Sequence, residues 1–339
     1  MTALDIEDRA ALAAYLRATG RVEGGARVDV RVLAGGVSNR TVLVEAPDVA
    51  WVVKQALPQL RVAVEWFASP ERAHREALGL RWLAELAPAG STTPLAWEDR
   101  ARHIVAMAAV PAPHECWKAM LLAGRVEPAH ADQFGRLLGT VHRRGHERRA
   151  DLPLDFDDAS VFEALRLEPY YEYGARRVPE ARDFLEGLAA STRARRLTLV
   201  HGDYSPKNVL VHEDRLVLLD HEVVHVGDPG FDVGFGLTHL LAKAHHLPDR
   251  RAALADAARG AWAAYDEALG EVPWRAGHEA CAVRHAVGCL LARVEGRSPL
   301  EYLDEGERAR QRAAAVALTR RPPATVAELV ERFLEAVRA

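Results

Sequence analysis

Residues 200–211 read VHGDYSPKNVLV and residues 216–222 read LVLLDHE. They contain Asp203, Asn208, Asp220 and Glu222, three carboxylates and an amide set around short apolar runs. Carboxylate and amide oxygens held together suit a hard cation such as Mg²⁺, which takes few protein ligands and fills its shell with water and substrate phosphates. A carboxylate beside that cation can accept the proton of a substrate hydroxyl. Both roles require these side chains to meet in space.

The flanking runs decide whether they meet. Val209-Leu210-Val211 and Leu216-Val217-Leu218-Leu219 are too short for helices and rich in strand formers, and His212-Glu213-Asp214-Arg215 between them reads as a turn. In the resulting antiparallel hairpin Val211 faces Leu216, so Asn208 falls opposite Leu219 and beside Asp220. Asp203 lies five residues before Asn208, in the loop entering the hairpin. Asp232, at an expected helix start within the turn-rich Gly227–Gly234 stretch that follows the hairpin, is placed to bind backbone amides of the catalytic loop.

The spacing of Asp203 and Asn208, with Asp220 on the following strand, resembles the protein-kinase catalytic loop and its second metal-binding Asp. His-Gly-Asp at 201–203 and Asp-His-Glu at 220–222 are similar to the aminoglycoside phosphotransferase and choline kinase superfamily. That resemblance implies an α+β, bilobal, protein-kinase-like fold, with a small antiparallel N-terminal lobe (1–110) and a mainly helical C-terminal lobe (111–339). It also implies ATP and Mg²⁺ as cofactors and a small-molecule hydroxyl as acceptor. In these roles Asp203 orients and deprotonates the hydroxyl, while Asn208, Asp220 and Glu222 hold the metal.

Alternation predicts strands over 28–33, 40–46 and 50–57, and a further one over 103–111. The turn Ala34–Asn39 carries Gly35 and Gly36, with Ser38 and Asn39 following, so its backbone amides can approach a phosphate. Lys54 sits on a strand apolar on both faces, at the position where kinases keep the lysine for the α/β-phosphates. A helix capped by Ser69 and opened by Pro70 places Glu76 on its inward stripe, where a carboxylate wants a cation; Lys54 is the expected partner, with Glu71 the substitute for Glu76. By the same resemblance, the segment from Met107 to Val110 offers backbone groups to adenine.

With 339 residues, 49% of them hydrophobic, the chain can fill two lobes. A net charge of −4 and a pI near 6.4 give no basic footprint for nucleic acid. No apolar run reaches membrane-spanning length and the first residues read as an amphipathic helix, so a cytoplasmic protein without membrane contact is expected. Cys116, Cys281 and Cys289 make no disulfide framework: on one helix the last two would stand about 12 Å apart. His142 and His146 have metal-like spacing, yet Gly145 should end their helix and no third ligand is evident. The oligomeric state stays open, a homodimer included.

Within the superfamily the residues around Lys54 and the Asp-x-Glu motif at 220–222 resemble the 5-methylthioribose kinase family. The segment 280–289 is similar to that family's helix bearing two adjacent arginines for the sugar, which implies substrate contact by Arg284, with His285 where the second arginine would stand. A methylthioribose-like or other pentose sugar follows as acceptor. An aminoglycoside or amino-alcohol is the alternative, disfavoured by Arg284, His285 and Arg293 on the pocket helix. A nucleotide-binding regulator without catalysis is the other, disfavoured by the presence of Lys54, Asp203, Asn208 and Asp220 together.

Overall fold

A computed structural model describes residues 4–33, 38–61 and 66–338. Strands β1 (Asp29–Val32), β2 (Asn39–Ala46), β3 (Val49–Ala56), β4 (Leu95–Asp99) and β5 (Ile104–Ala108) form one antiparallel sheet in the order β1-β2-β3-β5-β4. On one face Val42, Val44, Val53, Ile104 and Ala106 pack against Leu12 and Leu16 of α1 (Arg9–Ala18). On the other, Val105, Met107 and Val52 pack against Ala77 and Leu80 of α2 (Arg72–Leu86). Lys54 shares the face of Val52, so the pleat aims it at α2. The sequence pattern misses β4, an edge strand with a bulge between Leu95 and Trp97 that breaks the alternation. Regular helix starts at Arg72, two residues after Pro70, although the Ser69 hydroxyl still accepts from the Glu71 N–H at 3.3 Å.

The rest is mainly helical: β6 (Glu115–Cys116), α3 (Trp117–Leu122), α4 (Pro128–Glu147), α5 (Ser160–Phe162), α6 (Tyr173–Arg177) and α7 (Arg182–Ala194). After β7 (Thr198–Val200), β8 (Val209–His212), β9 (Arg215–Leu218) and β10 (His225–Gly227) come α8 (Pro229–His246), α9 (Arg251–Leu269), α10 (His278–Glu295), α11 (Glu305–Arg320) and α12 (Val326–Ala336). A wide π-helical stretch, Glu163–Glu172, joins α5 to α6 and accommodates Pro169. α4 continues past Gly145, which does not end it: that residue packs against Thr198 and Leu199 of β7. No helix of the described residues is long and apolar enough to cross a membrane.

The hairpin register is as expected, with Val211 opposite Leu216. Its turn is tighter: His212 pairs with Arg215, leaving Glu213 and Asp214, at φ 49° and 57°, as a two-residue turn. The Leu219 N–H donates to the Asn208 carbonyl at 2.8 Å, and the Leu218 N–H to the Ser91 carbonyl at 2.8 Å, tying the hairpin to the segment before β4.

α4 and α9 touch backbone to backbone. A Cβ on Gly135 would lie 1.9 Å from the Ala261 carbonyl oxygen, so Gly135→Ala must spread the two helices. The neighbouring Phe134 stacks on Tyr204 with ring centroids 4.2 Å apart, and its carbonyl accepts from the Tyr204 hydroxyl at 2.6 Å. We expect Gly135→Ala to cost about 3 kcal/mol in urea denaturation.

Candidate active site

β7 delivers the chain into His201-Gly202-Asp203. Asp232, in the first turn of α8, accepts from the His201 N–H at 2.6 Å and the Gly202 N–H at 2.8 Å. This is the support expected from sequence. His142 contacts the same carboxylate at 3.3 Å and the Tyr265 hydroxyl at 3.0 Å, while His146 binds the Leu197 carbonyl at 3.0 Å. Each histidine thus has its own structural partners. His201 accepts from the Asp203 N–H through Nδ1 at 3.2 Å and donates through Nε2 to the Leu219 carbonyl at 3.1 Å, joining loop to hairpin. Burial lowers its pKa and favours the neutral ring that this pairing requires.

Asp203 is buried between two cations. Arg166, from the π-helical stretch, reaches it at 2.6 Å, and Lys207 at 2.9 Å. Burial would raise this carboxyl, but Arg166 and Lys207 outweigh it and hold it at about 2. Asn208 donates through Nδ2 to the Asp203 carbonyl at 2.9 Å and to its carboxylate at 2.8 Å. That orientation turns Asn208 Oδ1, the metal-type donor, away from Asp203.

From β3, Lys54 stands 2.6 Å from Glu76 and 2.6 Å from Asp220. Glu71 is 64% exposed and lies near His103, so Glu76 is the partner. Burial disfavours the Lys54 ammonium, but Asp220, Glu76 and Glu222 reverse the effect and hold its proton well above the usual lysine range. Lys54 and Lys207 keep Asp220 ionised against burial, whereas burial with Asp220 and Glu222 nearby pushes Glu76 up. Asp220 has φ 66°, a left-handed conformation that costs a non-glycine residue about 1 kcal/mol and is kept here beside the acidic cluster. Glu222 accepts from Asn39 at 2.8 Å and from Arg72 at 3.1 Å, both on Oε2. Arg72, fully buried, also binds the Leu57, Ala68, Ser69 and Ser38 carbonyls, so it fastens the ends of β2 and β3 to α2.

Glu76, Asp220 and Glu222 offer carboxylate oxygens all within 4.8 Å of one another. Lys54 and Arg72 offset much of the charge of these three carboxylates. This hard, partly neutralised donor set fits Mg²⁺, and the Leu219 N–H bond to the Asn208 carbonyl holds Asn208 next to Asp220 along the hairpin.

Other expected residues fall elsewhere. Gly35 and Gly36 lie outside the described residues. Ser38 and Asn39 border the acidic cluster through Arg72 and Glu222. Met107 does not present its main chain to a cleft: it lies inside the sheet between β3 and β4, with its side chain in the core. The Ala108 and Ala109 N–H groups are also taken, by Pro94 and Ala50, which leaves Val110 as the first residue past the sheet. His285 is fully buried, with the Tyr171 hydroxyl on Nδ1 at 2.8 Å and Asp228 near Nε2 at 3.4 Å. Asp228 follows Gly227, which pairs with Thr198 at the end of β7 remote from Asp203. Arg284 lies over the Phe184 ring at 4.7 Å. The structure therefore does not bring Arg284 and His285 to the acidic centre; the helix phase turns one outward and the other into a structural network.

Sequence reasoning missed Arg166 and Lys207. Lys207 stands within the quoted motif. Arg166 interrupts the apolar positions Phe162, Leu165, Pro169 and Tyr170, the same signal that singled out Glu76.

A family model described as the phosphotransferase enzyme family matches residues 29–269, from β1 to the end of α9. Methylthioribose kinase of Pectobacterium carotovorum is 27% identical over 223 residues, 58% of this chain and 55% of the relative. Methylthioribose kinase 2 of Oryza sativa is 26% identical over 267 residues, 69% of this chain and 62% of the relative. The chain thus spans 55–62% of the length of these relatives. Plasmodium vivax ethanolamine kinase superposes with a TM-score of 0.56 at 10% identity, covering 90% of this chain and 87% of that one. These similarities, which run through both the sheet and the hairpin, place the chain in the phosphotransferase enzyme family, with its two-lobed kinase-like fold.

Proposed function

We propose that this protein is a small-molecule kinase that transfers the γ-phosphoryl group of ATP to a hydroxyl of a small metabolite, a methylthioribose-like or other pentose sugar. The observation that carries this reading is Lys54 of β3, held at 2.6 Å by both Glu76 of α2 and Asp220 beyond the hairpin whose entering loop carries Asp203. In this arrangement the first lobe, residues 1–110, holds the nucleotide: Lys54 binds the α/β-phosphates and Val110 borders the adenine. Asn208, Asp220 and Glu222 would hold Mg²⁺, which neutralises charge on the β- and γ-phosphates.

Asp203 acts chiefly by position. A carboxylate held at about 2 is a weak base, but phosphoryl transfer passes through a loose transition state in which the hydroxyl needs alignment more than early deprotonation. Asp203 accepts the hydroxyl hydrogen bond and takes the proton late, with Arg166 fixing its orientation. The pentose acceptor draws support from the methylthioribose kinases among the relatives.

The test is ADP release with Mg²⁺ and ATP against methylthioribose, other pentoses, amino alcohols and aminoglycosides. We expect acceptor-dependent release with a pentose-type member and about tenfold lower kcat/KM with cationic ones. Equal rates with and without every acceptor would sink the assignment.

A further inference from the structure

The buried cations of the site each have a carboxylate beside them: Lys54, Arg72 and Arg166 as above, and Arg75 at 3.3 Å from Asp158. Two others differ. Lys243 on α8 is fully buried, and its ammonium binds the His239 carbonyl at 3.1 Å. Arg293 on α10 is 7% exposed and donates to the hydroxyls of Tyr170 at 3.1 Å and Ser298 at 3.0 Å and to the Ser298 carbonyl. Among the described residues neither has a carboxylate within ion-pair distance, and a buried charge without a counter-charge is costly. Glu301, the nearby acid, is taken by Lys118. Burial, with Lys118 and Arg293 close by, pulls Lys243 down to about 7.

Unsatisfied polar atoms gather at the same place. Among the described residues, Arg293 Nε, His239 Nε2 and the Tyr302 hydroxyl are buried without partners. The cluster adjoins the catalytic loop. The Tyr170 ring lies between Arg166, 5.8 Å away, and Arg293, 5.7 Å away, and Arg166 is the residue that holds Asp203. Phe235 bridges His239 and Tyr170, at 4.8 and 5.9 Å between ring centroids. On the other flank Cys116 Sγ sits 3.8 Å from the Lys207 carbonyl, and the Tyr302 ring stands 5.4 Å from the Lys243 ammonium and 6.0 Å from that of partly exposed Lys118.

We propose that Arg293, Lys243 and His239 receive an anionic group, a carboxylate or a phosphate monoester, on the acceptor molecule, and so hold its hydroxyl at Asp203. This rests on the kinase reading and specifies its acceptor: a pentose-type compound bearing a negative charge. The anion supplies the counter-charge that the fold omits, and its oxygens meet the donors left unpaired.

Calorimetric titration of the protein with Mg·ADP, using ribose, ribonate and ribose 5-phosphate as probes, tests it. We expect at least one anion to bind tenfold or more tightly than ribose, and the stronger of the two identifies the group. Arg293→Gln should lower that affinity at least tenfold while leaving ADP binding unchanged. Lys243→Met should also abolish the preference, yet raise the thermal midpoint by about 2 °C because it removes an unpaired buried cation. Ribose binding as tightly as both anions, or anion binding that survives both substitutions, overturns the proposal. The kinase reading is judged separately by phosphoryl transfer from ATP: transfer to neutral ribose without anion preference refutes the anion site alone, and anion binding at Arg293 without any transfer refutes the kinase alone.

Discussion

Asp203→Asn is expected to lower kcat about 10³-fold with little change in KM for ATP. The amide keeps the size of the carboxylate but loses its charge, so it neither aligns the acceptor hydroxyl by a strong hydrogen bond nor takes its proton. The substitution also leaves Arg166 buried against a neutral partner, which makes a stability control necessary. The folded carboxyl sits at about 2, below the roughly 3.9 of an unfolded aspartate, so its stabilising effect is complete above about pH 4 and fades as pH falls towards 2. The wild type should therefore exceed Asp203→Asn in urea resistance at pH 7, with the gap closing below pH 4. A variant with undiminished kcat would rule out the assigned role. A stability gap that is constant with pH would rule out the ion pair.

Lys54→Met should lower kcat/KM for ATP by 10²-fold or more, by removing the charge that meets the phosphates. It should also destabilise the fold by about 3 kcal/mol, since Glu76 and Asp220 are left without their shared cation. The two effects separate in the double variant Lys54→Met, Glu76→Gln. Neutralising the more deeply buried carboxylate should return most of the lost stability without returning activity. Recovery of both would mean that Lys54 serves the fold and not the nucleotide.

How much of this was legible in the residues follows from local physics. The hairpin and the Asp203–Asn208 spacing were, because strand register is set by a short turn and every later position follows by counting. Glu76 was, because a carboxylate on an apolar helical stripe must find a cation. Arg166 carries the mirror image of that signal, but Pro169 disguises its segment as a helix break, and only the wider π turn lets the chain pass. Met107 was expected to offer its main chain to adenine because an apolar run does not show where a strand stops. Arg284 and His285 were carried by likeness to the arginine-bearing helix of the 5-methylthioribose kinases. Their neighbour Arg293, on the same stripe and about 12 Å beyond His285, is one of the two buried cations that lack a carboxylate partner among the described residues.

The contact between α2 and the 220–222 loop limits how the cleft can be inhibited. His221 is fully buried, its ring 5.3 Å from that of His201, and a Cβ on Gly79 of α2 would lie only 2.8 Å from its own Cβ. The loop is wedged between α2 and the catalytic segment, so turning it inside out would require α2 to move. Inhibitors that work by prising such a loop out of place would have to displace α2 as well, and those shaped to the nucleotide and its acceptor are the better starting point.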